Sequence, residues 1–311
     1  MSVPIKKDLL SVSDLTHEEI ESLLQQALSL KQRGPCDLLS GKSQALLFEK
    51  PSLRTKVSFD IAMHELGGHT VYLSPAEVGL GQRESIPDVA RVLSRYVDCI
   101  TARTFSHETV TTLAQHSTIP VINALSDLEH PCQALSDLLT IYEKKGKLHG
   151  LTLAFVGDGN NVANSLLLAA TLIGINFHFA SPPGYEIKDS LLQRAKKFAA
   201  ASGSKTNLTS DPYEAVKGAD IVYTDVWTSM GQEAEAKKRR LAFSQYQVDN
   251  ELLDSAKSAA LFMHPLPAHN NEEVSAGLMD KAQSVVFDQA ENKLHMEKAL
   301  LIKLLSSSNS V

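Results

Sequence analysis

The segment Phe48-Glu49-Lys50-Pro51-Ser52-Leu53-Arg54-Thr55-Lys56 joins two different hydropathy patterns. Before it, Ala45–Phe48 is a short unbroken apolar run, the pattern of a buried strand. After it, Val57, Ile61, Ala62 and Leu66 fall at helical spacing, and Gly67-Gly68 stop the helix. Ser52, Leu53, Arg54 and Thr55 therefore sit where a strand turns into a helix. A helix start presents N–H groups without intrahelical partners and the positive end of the dipole. With two hydroxyls and a guanidinium added, such a turn can hold a phosphate through charge-assisted hydrogen bonds. The same residues also suit an ordinary helix start, with Ser52 as N-cap and Arg54 in water. Further groups of chemical residues are Arg103 at the end of an apolar run, His130-Pro131-Cys132-Gln133, Asp225-Val226-Trp227-Thr228-Ser229-Met230-Gly231 and His264-Pro265-Leu266-Pro267. Each has a structural alternative. Arg103 fits a surface ion pair, His130 a residue preceding a helix that begins at Pro131, and Asp225 and Asn161 fit turns or caps.

In order and spacing, these segments resemble the site motifs of the aspartate/ornithine carbamoyltransferase family, and the similarity covers nearly the whole chain. The form Asp-x-x-x-Ser-Met-Gly resembles the ornithine branch. The resemblance implies transfer of a carbamoyl group from carbamoyl phosphate to the δ-amine of ornithine, giving citrulline and phosphate in arginine metabolism, with no cofactor and no metal. It implies that Ser52, Leu53 (through its backbone), Arg54 and Thr55 hold the phosphate. Arg103 would bridge phosphate and carbonyl oxygen, His130 would donate to that oxygen, and Gln133 would hold the carbamoyl amino group. The main-chain carbonyls of Pro265 and Leu266 would accept from that amino group, and Lys293 would complete the carbamoyl-phosphate contacts. Asn161, Asp225, Ser229 and Met230 would bind ornithine, Asp225 through the α-amino group. The family also implies a homotrimer or a multiple of trimers, with part of Ser74–Ser85, carrying Gln82, Arg83 and Glu84, reaching into a neighbour.

Several residues depart from the family pattern. Leu53 stands for threonine, Lys56 for arginine, Gly79 for glutamine, Asn270 for arginine and Lys293 for arginine, which keeps the charge but loses the planar fork. Pro265 replaces the cysteine of the ornithine branch, and His-Pro-Leu-Pro is the version found in the aspartate branch. That branch's Arg-x-Gln is not found near Asp225. A sister carbamoyltransferase with another amine acceptor, and a non-catalytic ligand-binding relative, therefore stand beside the ornithine reading. Intact Arg54, Arg103, His130 and Gln133 weigh against the second of these.

The elements that must position these residues alternate. Thr16 and Glu19 form a capping box for a helix with Ile20, Leu23, Leu24, Ala27 and Leu28 on its apolar face, ending near Gly34. Strands are predicted at Thr70–Leu73, Asp98–Arg103, Val121-Ile122, Leu151–Val156, Phe177–Ala180, Ile221–Thr224, Ala260–Met263 and Val285–Phe287. Helices are predicted over Ile86–Leu93, His107–His116, Pro131–Tyr142, Val162–Leu172 and about Lys293–Leu305. This alternation predicts an α/β protein of two domains, each a parallel sheet covered by helices on both faces. The expected boundary is Lys144–Lys147, giving a carbamoyl-phosphate-binding domain over 1–143 and an acceptor-binding domain over 144–287, with a last helix in 288–311 packing back on the first. Arg103, Asn161, Asp225 and His264 fall at or just after strand ends, where such sheets bind ligands.

Composition narrows the classes. With 311 residues the chain can bury two cores. A formal charge of −6 and no basic run argue against nucleic acid. No apolar run reaches transmembrane length and the start lacks a signal-peptide layout, so no membrane association and a cytoplasmic location are expected. Three dispersed cysteines fit a reducing compartment, and Cys132 reads as a packing residue. The tail Ser306–Ser310 is expected to fray. Gly157-Asp158-Gly159 imitates a dinucleotide loop, but Val162 occupies the position of the third glycine. His64 and His69 in His-Glu-Leu-Gly-Gly-His lie five residues apart, on different helix faces at about 3.6 residues per turn, which does not make a zinc pair.

Overall fold

In the computed structural model, which describes residues 7–306, the chain forms two compact units. The first runs to Leu139 and resumes at Asn292; the second is Thr140–Glu291.

The first unit begins with α1 (His17–Arg33), capped by Thr16 and Glu19 in a reciprocal box and closed by Gly34 at φ 79. Then follow β1 (Ser43–Phe48), α2 (Arg54–Glu65), β2 (His69–Leu73), α3 (Pro75–Val78), α4 (Ile86–Leu93), β3 (Cys99–Arg103), α5 (His107–His116), β4 (Val121–Leu125) and α6 (Pro131–Lys145). The strands pair in the order β2-β1-β3-β4, all parallel. Ala45, Leu46, Leu47 and Phe48 are all buried, as expected of strands covered on both faces. The chain before α1 lies along β4. Leu9 bridges Ile122, the Asn123 amide donates to the Leu10 carbonyl, and the buried Glu129 carboxylate accepts from Ser11 Oγ at 2.6 Å and Val12 N at 3.2 Å. These contacts fix the loop that delivers His130.

The second unit continues with β5 (Thr152–Val156), α7 (Asn161–Ile173), β6 (Asn176–Ala180), α8 (Asp189–Ser202), β7 (Thr206–Thr209), α9 (Pro212–Val216), β8 (Ile221–Tyr223), α10 (Ala236–Ala242), α11 (Asn250–Asp254), β9 (Leu261–Met263) and the start of α12 (Val286–Leu305). Its parallel sheet has the order β7-β6-β5-β8-β9. Phe179, Phe155 and Tyr223 occupy matching register positions on β6, β5 and β8 and stack at 5.8 and 5.5 Å. Each such side chain contributes about 1.5–3 kcal/mol on burial. This aromatic row also serves the site. Gln289 Nε2 donates to Tyr223 Oη at 3.0 Å, and its Oε1 accepts from the His264 backbone N–H at 2.9 Å.

Four local expectations change. Val285–Phe287 is not a strand: only Ser284 bridges Phe262, and α12 begins at Val286, earlier than 288. The β7 strand was not foreseen, because Thr-Asn-Leu-Thr carries little apolar signal. On α2 the buried face is Thr55, Phe59, Ala62 and Met63, whereas Val57 and Ile61 are exposed. On α1 Leu30, rather than Leu28, completes the buried face. The expected fraying of Ser307–Ser310 lies outside the described residues.

Candidate active site

In the first unit, β1 ends at Phe48 and α2 starts at Arg54. The cap position is Leu53, in helical conformation and with no side-chain cap bond, so the alternative of an ordinary start capped by Ser52 does not form. Leu53 is 74% exposed and Thr55 is buried. Arg103 ends β3 where its register with β4 shifts. It is buried, and its Nε has no hydrogen-bond partner. Burial and the neighbouring Arg54 guanidinium lower its pKa to about 10, which leaves it charged at neutral pH. His130 is buried, and burial, then Lys293 and Arg103, hold its imidazole well below its usual pKa. A neutral imidazole keeps one N–H to donate.

Gln133 follows on the first turn of α6. Its Oε1 accepts from Lys293 Nζ at 2.9 Å, and its Nε2 donates to Asp137 Oδ1 at 2.8 Å. Lys293, brought in by α12, also reaches Thr55 Oγ1 at 3.5 Å. The helix is pinned beside α2 by Lys298 Nζ on Glu65 Oε2 at 2.7 Å. The fold thus gathers Arg54, Thr55, Arg103, His130, Gln133 and Lys293, with Ser52 and Leu53 adjoining in sequence. Three cations converge here, and their mutual repulsion and burial suit the cluster to a compact polyanion. Cys132 is fully buried, donates to the Asn123 carbonyl, and has a thiol pKa pushed up by burial, so it packs and does not act as a nucleophile.

In the second unit, Asp225 follows β8 and is nearly buried. Its Oδ2 accepts from Asn160 Nδ2 and its Oδ1 from Val226 N, both at 2.8 Å. Burial nevertheless raises its pKa, against the pull of His264 and these two donors. Asn160 also caps α7, its Oδ1 accepting from Val162 and Ala163 N–H groups. Asn161, named from the sequence, is the first residue of α7 and partly exposed. Ser229 donates its N–H to Gln232, and Met230 is 45% exposed. This loop is held by a buried ion pair. Arg239 Nη1 donates to Asp158 Oδ2 at 2.8 Å and to the Trp227 carbonyl at 3.0 Å, and Trp227 stacks on Phe243. Gly159 beside Asp158 admits no side chain, since a Cβ would lie 2.6 Å from the Glu186 carbonyl. The dinucleotide-like turn is therefore an anchor for the Asp225 loop.

His264 is fully buried. Its Nδ1 accepts from the Leu266 N–H at 2.9 Å, which leaves Nε2–H facing Glu273 Oε1 at 3.3 Å. Leu266 is held at φ 56, a conformation rare for a leucine and of the kind that accumulates at functional sites. Pro265 between them is partly exposed. His269, Glu272 and Glu273 bring ligand-type atoms within 4.8 Å of one another, but Glu272 accepts from Arg240 and Glu273 from His269 N–H.

Both units match a known family. Residues 7–143 match the model of the aspartate/ornithine carbamoyltransferase carbamoyl-P binding domain, and 149–304 match the Asp/Orn binding domain. The chain belongs to the aspartate/ornithine carbamoyltransferase family. It is 53% identical over 303 residues to the ornithine carbamoyltransferase of Anoxybacillus flavithermus, covering 96% of each chain. It is 51% identical to that of Bacillus subtilis, over 98% of this chain and 95% of the relative. The solved ornithine carbamoyltransferase of Pyrococcus furiosus superposes with a TM-score of 0.94 at 49% identity, covering 99% of this chain and all of the other. For this carbamoyltransferase-family chain, sequence reasoning missed Asn160, Asp137, the Asp158–Arg239 pair and the His264–Glu273 contact. Only Asn160 had a local signal, as the N-cap two residues before Val162.

Proposed function

We propose that the chain transfers the carbamoyl group of carbamoyl phosphate to the δ-amine of L-ornithine, giving L-citrulline and phosphate, as a step of arginine biosynthesis. The observation that carries this reading is the convergence of Arg54 with the buried Arg103 and Lys293 around a neutral His130. Arg54, Arg103, Thr55 and the helix-start backbone after Ser52 bind the phosphate. Arg103 and the His130 N–H stabilise the carbonyl oxygen as it gains charge; a pre-aimed donor of this kind is worth about 3 kcal/mol. Gln133 Oε1 accepts from the carbamoyl N–H. In the second unit, the Asp225 carboxylate takes the α-ammonium of ornithine, with Asn161, Ser229 and Met230 contacting the rest of the molecule. The neutral δ-amine adds to the carbonyl carbon. The carbon–oxygen bond to phosphate then breaks, its electrons leave with the phosphate, and the nitrogen proton passes to that phosphate. Pro265 and Leu266 contribute only main-chain groups.

The acceptor is tested by measuring ureido product and phosphate release across a panel of amines. Ornithine should lead the panel, and a clear preference for another amine would transfer the assignment to a sister enzyme. The exposed Val57 and Ile61 on α2, together with Val71 on the edge strand β2, favour assembly as a homotrimer or a multiple of it. Sedimentation finding only an active monomer at micromolar concentration would refute that. The free thiols Cys36, Cys99 and Cys132 suit a cytoplasmic enzyme.

A further inference from the structure

Asp137 is fully buried on α6, a helix that also buries Leu135, Leu138 and Leu139. A carboxylate in that place costs desolvation that another leucine would not. On an exposed helix face, a glutamine and an aspartate four residues apart add little. Here Gln133, Asp137 and Lys293 are all buried and form one chain of hydrogen bonds. Lys293 Nζ donates to Gln133 Oε1 at 2.9 Å, and Gln133 Nε2 donates to Asp137 Oδ1 at 2.8 Å.

The two ends of this chain fix its middle. An ammonium only donates and an ionised carboxylate only accepts, so the amide between them has one orientation. Reversed, its NH2 would face the ammonium and its oxygen the carboxylate. Lys293 occupies one lone pair of Oε1, and the other remains for a carbamoyl N–H. We infer that Asp137 is a positioning residue: by holding the Gln133 NH2 it keeps the amide oxygen presented to the ligand, and so sets a preference for carbamoyl phosphate over an acyl phosphate with a methyl in place of the amino group. The inference rests on the proposed binding of carbamoyl phosphate by this cluster. Acetyl phosphate has the same phosphate and carbonyl groups but offers no donor to Gln133, so the amide oxygen would be left without that partner.

The test is calorimetry of carbamoyl phosphate, acetyl phosphate and inorganic phosphate without acceptor, on wild type, Asp137→Leu, Gln133→Ala and their double variant. Wild type should bind carbamoyl phosphate about tenfold tighter than acetyl phosphate. Asp137→Leu should remove most of that ratio and leave the dissociation constants of acetyl phosphate and inorganic phosphate within about twofold. In the Gln133→Ala background the same substitution should move none of the three constants by more than about twofold. A second pair of variants reverses the polarity of the chain. Gln133→Glu sets two carboxylates face to face and should bind carbamoyl phosphate poorly. Adding Asp137→Asn supplies an NH2 that can donate to the new carboxylate, and should recover about tenfold of the carbamoyl-over-acetyl ratio. Equal losses for all three ligands in Asp137→Leu, or the same loss in the Gln133→Ala background, would overturn the inference. If Asp137→Leu does not fold, the polarity swap decides: recovery supports the inference, and no recovery, or no folded swap, refutes it. A wild type that forms ureido product yet does not prefer carbamoyl phosphate over acetyl phosphate loses this inference only, whereas one that binds no carbamoyl phosphate loses the proposed function.

Discussion

The two proposed ligand clusters pose opposite electrostatic problems. In the first unit, Arg103 is buried beside Arg54 with its Nε unsatisfied, and burial depresses the pKa values of Arg103, His130 and Lys293 together. In the second unit, opposite charges are paired, although the buried Trp227 Nε1 and Thr228 Oγ1 have no hydrogen-bond partner. Asp225 accepts from Asn160 and Val226, Asp158 holds Arg239, and Glu273 meets His264. The first cluster carries surplus positive charge that an anion would neutralise. The second is balanced and offers a single carboxylate, Asp225, whose pKa is raised by burial. On the proposed assignment, phosphate affinity is built as surplus positive charge, and acceptor recognition as a network with one acid in reserve.

The largest effect should come from breaking the surplus side. Arg54→Ala or Arg103→Ala should lower kcat/KM by roughly a thousandfold or more in a citrulline assay. Because Arg103 is a buried cation beside another, Arg103→Ala should also leave the ligand-free protein as stable as before, or more stable by about 1 kcal/mol in thermal unfolding. A large destabilisation would show that the cluster is balanced after all.

Asp225→Asn tests the balanced side. Its KM for ornithine should rise about a hundredfold while carbamoyl-phosphate binding stays near wild type, the split being read from kinetics with each substrate varied in turn. The pH dependence has a fixed sign. A folded pKa raised above the unfolded value gives stability that is present at low pH and lost as pH rises through the folded pKa. Ligand-free wild type should show that loss and Asp225→Asn should not, while ornithine binding by wild type should weaken in acid as the carboxylate protonates.

Arg239→Gln leaves Asp158 buried without its partner and releases the Trp227 carbonyl. It should cost about 3–5 kcal/mol of stability in denaturant melts and raise the ornithine KM about tenfold through the loosened 225–231 loop. Undisturbed ornithine kinetics would show that the pair supports only the fold. The smallest effect concerns Pro265, which lacks a side-chain donor and an N–H. Pro265→Cys should raise kcat/KM for ornithine about two- to tenfold, the worth of one hydrogen bond, with carbamoyl-phosphate affinity nearly unchanged. Unchanged or poorer ornithine kinetics, with another amine preferred by wild type, would point to the sister-enzyme reading.

Local pattern made much of this readable in advance. The strand–turn–helix around Arg54, the Pro131 helix start and the strand-end positions of Arg103 and Asp225 all follow from periodicity and breakers a few residues apart. Where the reading failed, short range was the reason. Val285-Val286-Phe287 looks like a strand because three apolar residues cannot reveal a period, yet Val286 and Phe287 open a 20-residue helix. Val57 and Ile61 share a helix face that is exposed, and nothing in their spacing says which face is covered. Asp158 meets Arg239 from 81 residues away, Gln133 meets Lys293 from 160, and no spacing rule connects such partners.

The first unit is also discontinuous in sequence, and synthesis must respect that. The chain leaves it at Leu139 and does not return until Asn292, after the whole of the second unit. At about 5–20 residues per second, that interval lasts on the order of ten seconds on the ribosome. Throughout it, Glu65 waits for Lys298 and Gln133 waits for Lys293. A nascent chain therefore carries Arg54 and Arg103 long before Lys293, and the buried cation cluster is complete only once α12 has emerged and docked.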